Sequence, residues 1–144
     1  MKIKAYGICL YKNEGNSTKI LLCKSISSHS KWGFLKGVQT KGESSFQTAI
    51  REFKEESNIN IDRKYLEKYF EQTNKEKDIG IYLVNYNKIK DLGVYFTNGQ
   101  LYKRYLSWEN SEVKFFDIKN LPNIKKKQRY LVEDIVKYLK KELH

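Results

Sequence analysis

The sequence predicts an α+β protein with a mixed β-sheet packed between helices. Three observations carry this reading. Short apolar runs of strand character fill the first quarter of the chain and return in its second half. A stretch with helical spacing, residues 45–57, interrupts them, and a second one, residues 125–142, closes the chain. Strands, helix, strands, helix is the order of a layered sandwich, not of a bundle.

Residues 2–11 and 19–24 ("KILLCK") read as strands joined by the turn "NEGNS" at 13–17. "SISSHSKWGFL" is a loop that leads into a short strand at 32–35, and residues 37–42 are loop. Within 45–57, Phe46, Ala49, Ile50 and Phe53 recur at spacings of three and four, which puts them on one face of a helix. Ser44 or Ser45 can cap its start, and Asn58 suits the left-handed residue that ends it. "KYLEKYFEQ", from Lys64, fits a strand or a helix. "DIGIYLVNYN", "QLYKRYLSW" and "EVKFFDI" read as later strands, and "IKNLP" turns the chain at its one proline, Pro122. In the last helix, Tyr130, Leu131, Ile135, Tyr138 and Leu139 form the apolar stripe.

At 144 residues, the chain is expected to be one domain, residues 1–144. Eleven tyrosines, 7 phenylalanines and 2 tryptophans argue against disorder. Lysine and arginine number 28 against 17 acidic residues, a net charge of +11. That balance suits polyanionic ligands, phosphorylated nucleotides, RNA or anionic lipid, and equally a solvated lysine-rich surface. Cys9 and Cys23 sit in apolar runs without metal-binding spacing, as buried thiols of a reducing, cytoplasmic protein do. The N-terminus lacks the pattern of a secretion signal, and no apolar run approaches membrane-spanning length. His29 and His144 have no evident partner.

Against this basic background, "REFKEES" (residues 51–57) concentrates carboxylates. On the helix, Glu52, Glu55 and Glu56 share a sector away from the apolar face, at spacings of three and four. Like charges so placed repel by a few tenths of a kcal/mol each. A hard divalent cation, Mg²⁺ or Mn²⁺, relieves that repulsion and bridges to substrate phosphates. A plainly solvated acidic face is the alternative.

The wider stretch, residues 37–59, sets Gly37, Glu43, Arg51, Glu52, Phe53, Glu55, Glu56 and Ile59 at the spacing G-x5-E-x7-R-E-apolar-x-E-E-x2-apolar. It resembles the Nudix box, the signature of the Nudix pyrophosphohydrolases. Asn58 stands where that family usually has glycine, and is the next best residue for a left-handed turn. The resemblance implies an α/β/α sandwich with a mixed sheet. It also implies that Glu52, Glu55, Glu56 and the Gly37 carbonyl bind metal, and that Glu43 and Arg51 brace the loop against the helix. Glu55, Glu109, Glu52 and Arg51 are the expected catalytic residues. Glu109 stands six residues before Phe115, as a late glutamate often does in this family, and Glu112 is its rival as extra ligand or general base. "WGFLKG" (residues 32–37) is similar to an entry motif of the mRNA-decapping and diadenosine polyphosphate hydrolase branches, with Leu35 in place of proline. On that likeness Lys36 contacts a phosphate, and Trp32 is expected to contact the substrate by stacking a base. Tyr6, Tyr86, Tyr105 and Trp108 are further candidates to stack a base.

The implied reaction cleaves a nucleoside diphosphate linked to another moiety. "WGFLKG", the stretch 109–122 and the charge lean toward RNA 5′ ends or dinucleoside polyphosphates. Free nucleoside triphosphates, oxidised ones included, and inositol pyrophosphates are the alternative substrates. A non-catalytic RNA- or nucleotide-binding module and an interaction protein with a solvated acidic helix are alternatives of other classes. The basic run 125–129, at the unfavourable end of its helix for positive charge, fits an RNA or polyphosphate contact or a solvated patch.

Overall fold

The structure, a computed structural model, describes residues 2–27 and 30–143, with the side chain of residue 143 not described. His29 and His144 lie outside the described residues. Nine strands among them form one sheet: β1 (Ile3–Glu14), β2 (Ser17–Ser25), β3 (Trp32–Gly33), β4 (Leu35–Val38), β5 (Tyr69–Thr73), β6 (Lys77–Asn85), β7 (Phe96–Thr97), β8 (Gln100–Leu101) and β9 (Asn110–Asp117). Their order is β5-β6-β1-β2-β9-β8-β7, with β3 added on β2 and β4 on β1. β1 runs parallel to β6 and antiparallel to β2 and β4, so the sheet is mixed.

One edge of β1 is shared between two strands. Residues 5–8 pair with β4 and residues 11–14 with β2. The sheet therefore forks, and β4 peels away carrying Lys36 and Gly37 toward helix α1 (Ser45–Ser57).

Alternation along the central strands builds two cores. Tyr6, Ile8 and Leu10 of β1 and Leu21 and Cys23 of β2 join Ala49 and Phe53 of α1 on one face. Cys9, Tyr11, Ile20 and Leu22 join Leu131, Val132, Ile135 and Leu139 of α2 (Arg129–Leu143) on the other. The two thiols thus occupy opposite faces and are unlinked. Phe53 is fully buried, which stabilises the α1 face by about 3 kcal/mol. No helix among the described residues is long and apolar enough to cross a membrane.

Several elements differ from the sequence reading. The segment from Lys64 is a short 3₁₀ turn, Arg63–Tyr65, and the strand begins only at Tyr69. "QLYKRYLSW" keeps two strand residues before another 3₁₀ turn, Lys103–Tyr105, in which the Arg104 guanidinium lies over the rings of Tyr102 and Tyr105. Gly37 and Val38 belong to β4 instead of a loop. The last helix starts at Arg129, after a 3₁₀ turn at Lys126–Gln128, so the lysines precede its axis. Tyr130 is 69% exposed, outside the apolar stripe. It lies roughly 100° ahead of Leu131, while the buried positions extend in the other direction through Val132.

Candidate active site

The acidic sector is built from α1 outward. Ser44 opens the helix with a reciprocal cap: its Oγ accepts from the Gln47 N–H at 3.3 Å, and its own N–H donates to Gln47 Oε1 at 2.9 Å. Asn58 closes it at φ 66°, and its side-chain amide donates to the Tyr105 carbonyl at 3.0 Å. Both ends are therefore fixed, and Glu52, Glu55 and Glu56 project at defined heights.

Arg51 is the centre of a carboxylate web. Its Nε donates to Glu43 Oε2 at 2.7 Å and its Nη2 to Glu43 Oε1 at 3.0 Å, a two-pronged grip. Its Nη1 reaches Glu52 at 2.8 Å and Glu55 at 3.1 Å, and Nη2 also reaches the Val38 carbonyl at 3.2 Å. Glu43 further accepts from the Thr40 N–H at 3.1 Å and Thr48 Oγ1 at 2.9 Å. The guanidinium holds the Glu43 carboxyl well below the usual range, aided by these two donors. The loop between β4 and α1 is thereby clamped to the helix at one point.

Glu56 has a different environment. One of its oxygens accepts from Asn110 Nδ2 at 3.1 Å, and the other is buried without a partner. Burial pushes its carboxyl up to about 7 against the Asn110 bond, and the charges of Glu52 and Glu109 add to the rise. Burial also raises Glu52, with Glu55 and Glu109 contributing and Arg51 opposing. Gly37 lies against this group so closely that a Cβ there would overlap the Glu52 carboxyl. Only glycine lets the β4 backbone approach.

Glu109 and Glu112 separate cleanly. Glu109 sits in the turn before β9, and its field reaches both Glu52 and Glu56. Glu112 faces Lys24 across the β2–β9 pair and is bound to its ammonium at 3.0 Å. Lys36 is held among cations: burial, then Lys77 and Lys125, bring its ammonium down to about 8, while Glu56 opposes.

The aromatic candidates divide by exposure. Trp32 is 6% exposed, edge-on to Phe116 at 4.7 Å between ring centres, in the core beneath α2. Little of its ring meets solvent, and the contacts it makes are packing contacts. Tyr6 is buried and Tyr86 packs edge-on against Phe96 and Phe115. Tyr105 is half-buried against Tyr95. Trp108 is 82% exposed, next to Glu109. Asn110, the residue that holds Glu56, carries no spacing signal in the sequence. Its contact spans 54 positions, and its one visible cue is a polar residue at the head of an apolar strand.

Three observations test whether this set suits a divalent cation. All the donors are oxygens, which hard cations prefer. One buried Glu56 oxygen lacks a partner. The Gly37 backbone lies open to Glu52. Among the described residues no three acidic, histidine or cysteine side chains are already grouped to hold an ion, and Arg51 occupies Glu52 and Glu55. The residues fit a cation that competes with Arg51 for those two carboxylates.

Comparison with known proteins agrees with this geometry. The chain matches the NUDIX domain family over residues 1–135. No curated relative matches it by sequence. Among solved structures it is similar to a C. elegans Ap4A hydrolase, in a binary complex, at 21% identity and TM-score 0.67, covering 96% of this chain and 98% of that one. A NUDIX hydrolase from Nitrosomonas europaea is 18% identical, with TM-score 0.66, over 99% and 73% of the two chains. The NUDIX domain of Shewanella oneidensis NrtR, crystallised with ADP ribose, is 16% identical, with TM-score 0.67, over 96% and 89%. With the family matched over nearly the whole chain, and the fold and box arranged as described, the chain belongs to the NUDIX family and is a pyrophosphohydrolase, an enzyme acting on acid anhydrides.

Proposed function

We propose that the protein cleaves the diphosphate of a nucleoside diphosphate linked to another moiety, with Mg²⁺ or Mn²⁺ held by Glu52, Glu55, Glu56 and the Gly37 carbonyl. The observation that carries this reading is the buried, unpartnered Glu56 oxygen beside Glu52. A buried acceptor without a donor is costly in a purely structural helix, and a cation removes that cost.

The bound cation supplies charge neutralisation on the diphosphate and makes water more acidic. Glu109 is the general base in this reading. It is near enough for its field to reach Glu52 and Glu56, whereas Glu112 is committed to Lys24. Lys36, on the strand beside Gly37, places a positive charge next to the phosphates. Arg51 and Glu43 keep the loop and helix in register, and Asn110 orients Glu56.

For the substrate, the charge of +11, the "WGFLKG" entry and the fold shared with an Ap4A hydrolase support dinucleoside polyphosphates or RNA 5′ ends. Likeness to a MutT structure, 18% identical with TM-score 0.61, keeps free nucleoside triphosphates as the second reading. The test is a panel of Ap4A, capped and triphosphorylated RNA, ADP ribose, and ordinary and oxidised triphosphates, with products quantified in Mg²⁺ and in Mn²⁺. Turnover confined to one free triphosphate would replace the lean. Inactivity on every diphosphate, with tight RNA binding, would assign a binding module.

A further inference from the structure

We propose that the recess lined by Lys36, Lys77, Lys125, Lys126 and Lys127 is a phosphate-chain subsite, binding phosphates beyond the anhydride that is cleaved. This rests on the reading above for its direction, because Lys36 is the member that adjoins the carboxylate centre.

The recess has a volume of about 240 Å³. Its ammonium groups come from three places in the chain: β4, the first residue of β6, and the segment before α2. Among the described residues none of the five has a carboxylate within ion-pair distance, although Lys2, Lys12, Lys19, Lys24 and Lys88 all do. Gathered cations of one sign repel, and Lys77 and Lys125 both act on Lys36. A polyanion is the partner that relieves them.

The backbone holds the group together against this repulsion. The Trp32 N–H donates to the Asn123 carbonyl, and the Lys125 N–H to the Trp32 carbonyl, both at 2.9 Å. The buried Gln128 accepts from the Phe34 N–H at 2.8 Å, and its amide fills the space a Cβ on Gly33 would need. The lysine segment is thus stitched to β3 and Phe34, which lead directly into the strand that carries Lys36 and Gly37. A solvated patch requires no such fastening.

The shape favours a chain of phosphates over a nucleic-acid backbone. The five lysines line one recess with Ile79 and Gln128, and no aromatic residue lines it for a base to stack on. Lysine ammonium groups are compact point charges that adapt to closely spaced phosphates. On the other side, Glu56 acts on Lys36, so this lysine is common to both regions.

The test uses the whole chain carrying Lys77→Gln and Lys126→Gln, with Lys125→Gln and Lys127→Gln as a second pair should the first lower the melting temperature. Inorganic tripolyphosphate is titrated calorimetrically in excess EDTA, so that neither metal nor turnover enters. The expected result is binding by the parent chain that weakens about tenfold or more in either pair. Kinetically, KM for a dinucleoside tetraphosphate should rise by a similar factor with kcat nearly unchanged, while KM for ADP ribose changes less than about twofold. No tripolyphosphate binding, or equal losses on both substrates, overturns the proposal. So does tighter binding of a 5′-monophosphorylated RNA oligomer that the same pair abolishes, which would give the recess to a nucleic-acid backbone. An enzyme inactive on every diphosphate that still binds tripolyphosphate through these lysines would refute the catalytic reading alone.

Discussion

Asn110 holds one oxygen of Glu56 at 3.1 Å and leaves the other buried without a partner. This pair joins helix α1 to the head of β9 across 54 positions of sequence. It sets the orientation of the least solvated carboxylate in the site. Asn110→Ala is expected to weaken Mn²⁺ binding by about 10–100-fold, the usual range for a residue that orients a ligand. Calorimetric titration of the parent and the variant with Mn²⁺ measures it, and equal affinities would remove Asn110 from the site.

Glu56→Gln separates stability from function. Without metal the variant should be at least as stable as the parent, because the substitution removes a charge from a buried position. With millimolar Mg²⁺ or Mn²⁺ the parent should gain melting temperature by mass action and the variant should not. Thermal scans with and without metal report both halves.

Glu43→Gln tests the clamp. The loss should be about 1 kcal/mol at pH 7, since the pair with Arg51 is partly solvated. The folded carboxyl lies below its unfolded value of about 4.3. Its contribution is therefore complete above that value and disappears as the pH falls through the lower, folded one. Urea melts of parent and variant should converge as the pH is taken from 5 downward.

Trp108 gives an optical probe. It is the exposed tryptophan and Trp32 the buried one, so iodide should quench mainly Trp108. Base stacking on its ring is worth about 1–3 kcal/mol, so Trp108→Ala should raise KM for a nucleotide substrate about tenfold. Nucleotide-dependent quenching should vanish in the same variant. Unchanged KM and fluorescence would place the base elsewhere.

The thiols should be inert in the native state. Cys9 and Cys23 are buried, and burial pushes the Cys23 thiol up to about 12, with Cys9 shifted in the same direction. A thiol reagent at pH 8 should find none in the folded chain and two per chain after denaturation.

What the sequence disclosed depends on the reach of each interaction. The box helix, its serine cap and the left-handed Asn58 are local, and spacing alone announced them. The Glu43–Arg51 grip spans eight positions and followed from the family likeness. Asn110 and Lys77 were illegible because they meet the site through the sheet order, which periodicity does not encode. The segments at 64–68 and 102–106 set tyrosine and leucine among charged residues, a spacing that fits more than one backbone, and they form 3₁₀ turns and extended connections. The burial of Trp32 was illegible for a related reason. Pairing of β3 with β2 sends its ring into the core beneath α2.

The forked strand β1 has a consequence for how the chain is made. Its antiparallel partners, β2 and β4, emerge from the ribosome soon after it, but its parallel partner β6 follows some sixty residues later. At 5–20 residues per second, that edge stays unpaired for roughly 3–13 s. During this interval Ile8, Cys9 and Leu10 belong to an open strand edge that another nascent chain can join. Translation rate across residues 15–85 is therefore expected to govern the soluble yield, with slower synthesis through that window lowering it.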